Sequence, residues 1–254
     1  MKNDGMVIID DLVDNPTARI PICLCLDTSD SMNAVEGGSY IETGETIYKD
    51  GREWSVVDGG ETRISALLDG IKCFFSSIRN DEIALYSAEI CIVTFNDTAK
   101  CILDFENIER QNDILELEAS GNTAMGEGVN LALDLLELRK REYKDKGIDS
   151  YKPWLVLMTD GVPNGDENEL NSAIERTSLM VNQGKLTVFP IAIGNEVDRQ
   201  ILNKFSPKRS ALKLKTLKFE EFFLWLSMSI SKVSQSIPGE SVKLDPTDGW
   251  GILD

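Results

Sequence analysis

The sequence predicts an α/β fold with a doubly wound, mostly parallel central sheet, one antiparallel edge strand, helices on both faces and a β-hairpin inserted after the first strand. Three observations lead there. Short, almost wholly apolar runs of strand length recur along the chain, as strands covered on both faces require. Between them apolar residues fall at helical spacing, so most connections are crossover helices and the strands they join run parallel. One pair of β-rich runs is instead separated only by Asn96-Asp97-Thr98-Ala99, which reads as a tight antiparallel connection.

Taken in order, the first central strand is Arg19 to Leu26 (RIPICLCL), which ends in the acidic, hydroxyl-rich turn Asp27 to Ser31. Asn33 to Gly60 stands outside the alternation: it carries six glycines, and Ile47 to Trp54 reads as a hairpin with an Asp50-Gly51 turn. From Glu61 to Arg79, the positions Ile64, Leu67, Leu68, Ile71, Phe75 and Ile78 form one helical stripe. Glu89 to Phe95 and Lys100 to Phe105 supply the antiparallel edge. Met125, Val129, Ala132, Leu133 and Leu136 then mark a second helix, whose charged end, Arg139 to Lys146, is expected in solvent. Trp154 to Met158 is a second central strand, ending in Thr159-Asp160-Gly161. Leu170, Ala173, Ile174, Thr177 and Val181 mark a third helix, with Gly184 placed as its C-cap before the strand Leu186 to Ile193. A short strand around Leu212 to Leu214 precedes the final helix, whose stripe is Phe219, Phe222, Phe223, Leu226, Ile230 and Val233 and which Pro238-Gly239 closes. Leu224 and Trp225 lie off that stripe, so the tail or a partner is expected to cover them.

One domain follows, residues 18–236 with 33–60 as an insertion, flanked by an extension 1–17 and a tail 237–254. The tail is short of apolar residues apart from Val242, Leu244, Trp250, Ile252 and Leu253, and the pattern leaves open whether it is mobile or clamps onto a neighbour. At 254 residues, with 42% hydrophobic and 27% charged residues, the chain buries a core without disulfide or structural zinc. Against 43 Asp and Glu there are 26 Lys and Arg; the net charge of -17 repels phosphate backbones and anionic lipid, which argues against nucleic acid and membrane and for a cation or a basic protein patch. Five cysteines, an odd number, point to a reducing compartment, and Cys23 and Cys25, alternating in an apolar run, read as buried free thiols of a strand. A zinc site on that pair is not expected without a second pair or any histidine. The start of the chain lacks a secretory pattern and no run approaches a membrane span, so a cytoplasmic protein is expected.

Three loops carry the chemistry, each where a doubly wound sheet places its ligand crevice. Asp27, Ser29 and Ser31 offer one carboxylate and two hydroxyls at alternate positions. Gly121-Asn122-Thr123 adds a hydroxyl before a helix, and Thr159-Asp160-Gly161 a second carboxylate. All are hard oxygen donors of the kind Mg²⁺ takes, with Mn²⁺ as an alternative. Each loop alone is more often a turn or a helix cap, and Thr123 as an N-cap is the bland reading of its position. Their conjunction in order points to one metal site.

Asp-x-Ser-x-Ser after a first strand, threonine in a Gly-Asn-Thr turn and Thr-Asp-Gly after a later strand resemble the metal-ion-dependent adhesion site (MIDAS) of von Willebrand factor A domains. The resemblance covers roughly 18–236. It implies that the hydroxyls of Ser29, Ser31 and Thr123 touch the metal directly, that Asp27 and Asp160 reach it mainly through water, and that a partner protein's acidic side chain completes the coordination. Within the family, Leu24 to Met32 (LCLDTSDSM), Val93-Thr94-Phe95, Gly121 to Gly126 (GNTAMG) and Phe222 to Ser227 (FFLWLS) look most like the bacterial tellurium-resistance TerY branch. That likeness implies a cytosolic stress-response or conflict system, with an associated kinase or phosphatase as the candidate partner. Asp30, at a position often glycine, and the 33–60 insertion depart from the pattern and bear on which partner is recognised.

The competing class is a Mg²⁺-dependent phosphohydrolase. A haloacid-dehalogenase type needs a second aspartate two residues after the first, where this chain has Ser29, and the chain has no histidine for a triad or an acid-base imidazole. No phosphate-binding Gly-rich Lys-Ser/Thr loop is present either. A structural interaction module with an empty site is the third reading. The sequence therefore predicts a binding module without catalytic residues.

Overall fold

The computed structural model describes residues 12, 15, 17–49, 52–108 and 116–252. Strand β1 (Ile20–Asp27) and a 3-10 turn (Asp30–Asn33) lead into a hairpin, β2 (Val35–Lys49) and β3 (Arg52–Thr62). Helix α1 (Arg63–Arg79) and the one-turn α2 (Ala84–Ser87) return the chain to β4 (Ala88–Phe95), which pairs with β5 (Ala99–Asn107). Helix α3 (Met125–Asp145), β6 (Trp154–Thr159), α4 (Glu167–Asn182), β7 (Thr187–Ala192), α5 (Arg199–Phe205), β8 (Leu212–Leu214) and α6 (Phe219–Ser234) follow. The tail returns as β9 (Gly251–Ile252).

The sheet order is β5-β4-β1-β6-β7-β8-β9. Strands β4, β1, β6, β7 and β8 run parallel, β5 is the antiparallel edge, and β9 adds a short antiparallel strand at the far side. Every residue of β1, β4 and β6 is buried, which is why those strands read as unbroken apolar runs. The two-residue alternation of a strand then divides β1 between two cores. Ile20, Ile22, Leu24 and Leu26 face α1, α2 and α6, where the packing is aromatic: Phe74, Phe222, Phe223, Trp154, Trp225 and Trp250. Cys23 and Cys25 face α3, α4 and α5 among Val129, Leu133, Leu136, Leu155 and Leu157.

Helix starts follow local hydrogen bonding. Thr62 and Ser65 exchange the two bonds of a capping box at α1, at 3.2 and 3.1 Å. Asp166 accepts from the amides of Asn168 and Glu169 at α4, and Asp198 does the same for Gln200 and Ile201 at α5. Helices α3 and α4 touch at Gly126, where a Cβ would stand 2.4 Å from the Leu170 amide nitrogen; only glycine permits that approach.

Several expectations change. The hairpin is far longer than Ile47 to Trp54: β2 and β3 form their own two-stranded sheet, with Val35 paired to Thr62 at its base. Its Asp50-Gly51 turn lies outside the described residues, as do Leu253 and most of 1–17. Helix α1 begins at Arg63, since Glu61 still belongs to β3. The charged end of α3 is not simply solvated: Tyr143 is fully buried and donates to Glu89, whose carboxylate also pairs with Arg19 at 3.3 Å and Arg139 at 2.6 Å. A buried carboxylate needs such partners, and they pin α3 across the starts of β1 and β4. Helix α5 had no counterpart in the sequence reading. The tail covers Trp225, whose indole N–H donates to the Asp245 carbonyl at 3.0 Å, while Leu224 stays 42% exposed. Trp250 packs edge-on against Phe222 with ring centres 4.8 Å apart.

Candidate metal centre

Asp27 ends β1 and Thr159 ends the neighbouring β6, so sheet register alone brings the first and third loops together. The Asp27 carboxylate is held from two sides: the Ser29 amide donates to Oδ1 at 2.8 Å and the Thr159 hydroxyl donates to Oδ2. Ser29 Oγ and Ser31 Oγ lie 3.0 Å apart, and Ser31 Oγ donates to Asp160 Oδ1 at 2.6 Å. Thr123 is fixed by its amide, which donates to Asn164 Oδ1 at 2.7 Å. A Cβ at Gly161 would stand 3.5 Å from Thr123 Oγ1 and 3.8 Å from Ser31 Oγ, so the absence of a side chain there leaves room between the loops. The three loops that carry the five sequence-predicted residues meet at the carboxyl ends of β1 and β6.

The second loop is tied to the first by backbone bonds, Ser120 N–H to Thr28 O at 2.9 Å and Asp30 N–H to Gly121 O at 3.1 Å. Gly121 has φ +73° and lies against Asp97, whose carboxylate a Cβ would meet at 2.5 Å. Asp97 accepts from the Asn122 amide at 2.9 Å and so sets the approach of Thr123. Asn33 Nδ2 donates to Asp30 Oδ1 at 3.3 Å.

Two carboxylates in so dry a place make the site electrostatically short of positive charge. Asp27 is 0% and Asp160 1% exposed. Burial, with the charge of Asp160 added, pushes the Asp27 carboxyl up to about 7. Burial also pushes Asp160 up, against the lowering effects of Ser31 and Arg63. Arg63 Nη1 meets Asp160 Oδ2 at 2.8 Å, while its Nη2 is bound by Glu36 from the base of the hairpin.

The donor set fits a hard divalent cation. Neighbouring ligands of an octahedral ion held at about 2.1 Å are separated by about 3 Å, which is the spacing of the two serine oxygens. Three hydroxyls and two carboxylates contain neither sulfur nor imidazole, the donors zinc prefers.

Sequence reasoning missed Arg63, Glu36 and the hydroxyl of Thr159. Arg63 carried a signal: it occupies the first position of a helix, where the positive end of the macrodipole disfavours a cation unless a carboxylate receives it. Glu36 lies in a glycine-rich segment and carried none.

The von Willebrand factor type A domain model matches residues 54–223. Among solved structures, the fold is similar to a von Willebrand factor type A protein from Catenulispora acidiphila, at 15% identity and TM-score 0.59, over 85% of this chain and 43% of that one. It is also similar to the pilus adhesin SpaC from Lactobacillus rhamnosus GG, at 14% identity and TM-score 0.61, over 86% of this chain and 32% of that one. A third is proximal thread matrix protein 1 from the mussel byssus with a zinc-occupied MIDAS motif, at 16% identity and TM-score 0.53, over 84% and 47%. The chain spans less than half the length of each of these three, and identities this low establish likeness of fold. No curated protein sequence matches the chain.

Proposed function

The chain belongs to the von Willebrand factor type A family, and from that premise we propose that it is a metal-dependent protein–protein interaction module. Domains of this family commonly mediate protein–protein contacts, often through a MIDAS. In this reading Asp27, Ser29, Ser31, Thr123 and Asp160 hold one divalent cation, Mg²⁺ or alternatively Mn²⁺, and a partner's acidic side chain completes the coordination. The observation that carries it is the convergence of three hydroxyls and two buried carboxylates at the carboxyl ends of β1 and β6. The bound ion supplies a positive charge open to a carboxylate. The chain's own residues orient the donors, keep Asp27 and Asp160 buried, and present the rim.

That rim is the hairpin. Tyr40, Ile41, Ile47 and Tyr48 are 49, 71, 53 and 77% exposed, a concentration of apolar side chains on one projecting element. Its base reaches the site through Glu36 and Arg63. Specificity then resides in the hairpin and anchoring in the metal.

The reading extends to a cytoplasmic bacterial stress-response or conflict system of the TerY-like type, with a kinase or phosphatase as partner. Supporting this are the segments LCLDTSDSM, GNTAMG and FFLWLS and the net charge of -17. Among the described residues, no helix is long and apolar enough to cross a membrane. Catalysis is not part of the reading, since Ser29 stands where a phosphohydrolase of the haloacid-dehalogenase type needs its acid.

One observation favours a second reading, a structural module that uses no metal: the Arg63 guanidinium already neutralises Asp160. Calorimetry with Mg²⁺ on the wild type and Asp27→Ala separates the two. We expect one site per chain, lost in the variant, and capture of a partner from native-host extract that a chelator abolishes. A wild type that binds no divalent ion refutes the metal-dependent reading. Hydrolysis abolished by Asp27→Asn with the fold intact refutes the non-catalytic one.

A further inference from the structure

The edge pair β4–β5 holds a second group of donors of opposite character. Its pairing is irregular across Cys91 and again just after it: Ile90 faces Glu106, Ile92 faces Leu103 and Val93 faces Cys101, so the four residues 90–93 oppose the six residues 101–106. Two extra residues in β5 re-aim its side chains, as bulges do. Cys101 and Asp104 both arrive beside Cys91, and the two sulfurs and a carboxylate oxygen all lie within 4.8 Å of one another.

We propose that Cys91, Cys101 and Asp104 form a second cation site, for a thiophilic divalent ion of the Zn²⁺ type, at the β5 side of the sheet. The distance between Cys91 Sγ and Cys101 Sγ is 3.9 Å. Two sulfurs bound tetrahedrally at about 2.3 Å from zinc stand about 3.8 Å apart, so the pair is spaced for the ion before it arrives. Two thiolates and one carboxylate leave the fourth tetrahedral position for water or an incoming ligand. Cys101 and Asp104 are exposed and Cys91 is fully buried, so the ion enters from solvent and seats against the core. Cys23 Sγ lies 4.0 Å from Cys91 Sγ and donates toward it, the kind of outer contact that stabilises a bound thiolate.

Each thiol that binds the ion does so as thiolate, so its proton leaves to solvent as the metal–sulfur bond forms. The site shares no residue with the oxygen site. Cys91 precedes Phe95, the residue paired with Asp27, by four positions, roughly 13 Å along the strand. Thiolate donors favour zinc-like ions more than hydroxyl donors do, so the two sites differ in the ion they prefer.

Titration of the reduced full chain with Co²⁺ as a zinc probe, in saturating Mg²⁺, tests this. We expect a thiolate-to-cobalt charge-transfer band in the near ultraviolet, visible ligand-field bands of tetrahedral strength, and displacement by Zn²⁺. Cys101→Ser, at an exposed position, removes the band and weakens Co²⁺ binding by more than about 100-fold, beyond the loss of a mere supporting contact. Asp104→Asn weakens binding and alters the visible bands. Cys73→Ser and Asp27→Ala leave the spectrum unchanged. Absence of the charge-transfer band overturns the proposal, as does a band that survives Cys101→Ser or disappears with Asp27→Ala.

Discussion

Asp27→Asn is expected to stabilise the metal-free protein while abolishing its metal binding. The Asp27 carboxyl, ordinarily at 3.8, is pushed up to about 7 by burial and by Asp160. At about 1.4 kcal/mol per pH unit, holding Asp27 ionised costs the metal-free fold up to about 4 kcal/mol. The two buried carboxyls titrate as a pair, so removal of the Asp27 charge alone recovers only part of that, on the order of 2 kcal/mol. The sign follows from a carboxyl raised in the folded state: its contribution to stability is fully present below 3.8 and is lost as pH rises through about 7. Metal-free wild type therefore melts lower at about pH 8 than at about pH 5, and the variant shows a flatter profile. Asparagine keeps the shape, and its Oδ1 still accepts the Ser29 amide that lies 2.8 Å from Asp27 Oδ1. For a chain of this length the gain corresponds to a melting shift of roughly 6 °C. Circular dichroism melts in chelator at three pH values measure it. With Mg²⁺ at about one hundred times Kd the order narrows or reverses, because binding adds about 2.7 kcal/mol to the wild type alone. A metal-free variant that melts at or below the wild type at about pH 8, with an unchanged native spectrum, refutes the reasoning.

Three other perturbations probe the parts around the site. Gly126→Ala drives a Cβ into the backbone of Leu170 at 2.4 Å, so helices α3 and α4 must separate; a loss of about 1–3 kcal/mol in urea unfolding is expected, with weaker Mg²⁺ binding as the Thr123 loop shifts. Trp250→Ala leaves a hole beside Phe222 and Trp225 and is expected to cost about 3–5 kcal/mol in the same assay, whereas a cost under about 1 kcal/mol would mean that the tail merely rests on the fold. Replacing Thr43 to Val57 with a short Gly-Ser loop is expected to leave Mg²⁺ affinity within a few-fold by calorimetry yet remove partner capture, and undiminished capture would show the hairpin to be ornament.

Burial on both faces is what made the framework legible. Strands β1, β4 and β6 have no solvent side, so their sequences are apolar without interruption and their order with the intervening helices gave the topology. The five oxygen donors could be proposed from sequence because three oxygen-rich loops follow one another at the ends of such strands or the start of a helix; each loop alone reads equally as a turn or a cap. What stayed hidden lacked that contrast. Helix α5 is seven residues with only Leu202 and Phe205 buried, too short for a stripe. Strands β2 and β3 have two largely exposed faces, so no alternation marks their length. Tyr143 looked solvated amid the charges of α3 because its partner Glu89 and the second layer of that network, Arg19, come from distant strands. The pairing of Cys91 with Cys101 depends on register shifts that composition does not record.

The uneven allocation of aromatic residues between the two cores decides what light reports about this molecule. Of the four tryptophans, Trp154, Trp225 and Trp250 share the core under α1 and α6, and the fourth, Trp54, lies half-buried in the hairpin. Ring centres 5.2 Å apart in Trp225 and Trp250 place those two indoles close enough to couple their electronic transitions. Tryptophan emission therefore follows one side of the sheet, the seating of the tail and, through Trp54, the hairpin, while the thiol-lined side beneath α3 and α4 is dark to tryptophan excitation. An opening confined to that dark side would pass unseen in a tryptophan-fluorescence trace and register in the far-ultraviolet dichroism of its helices.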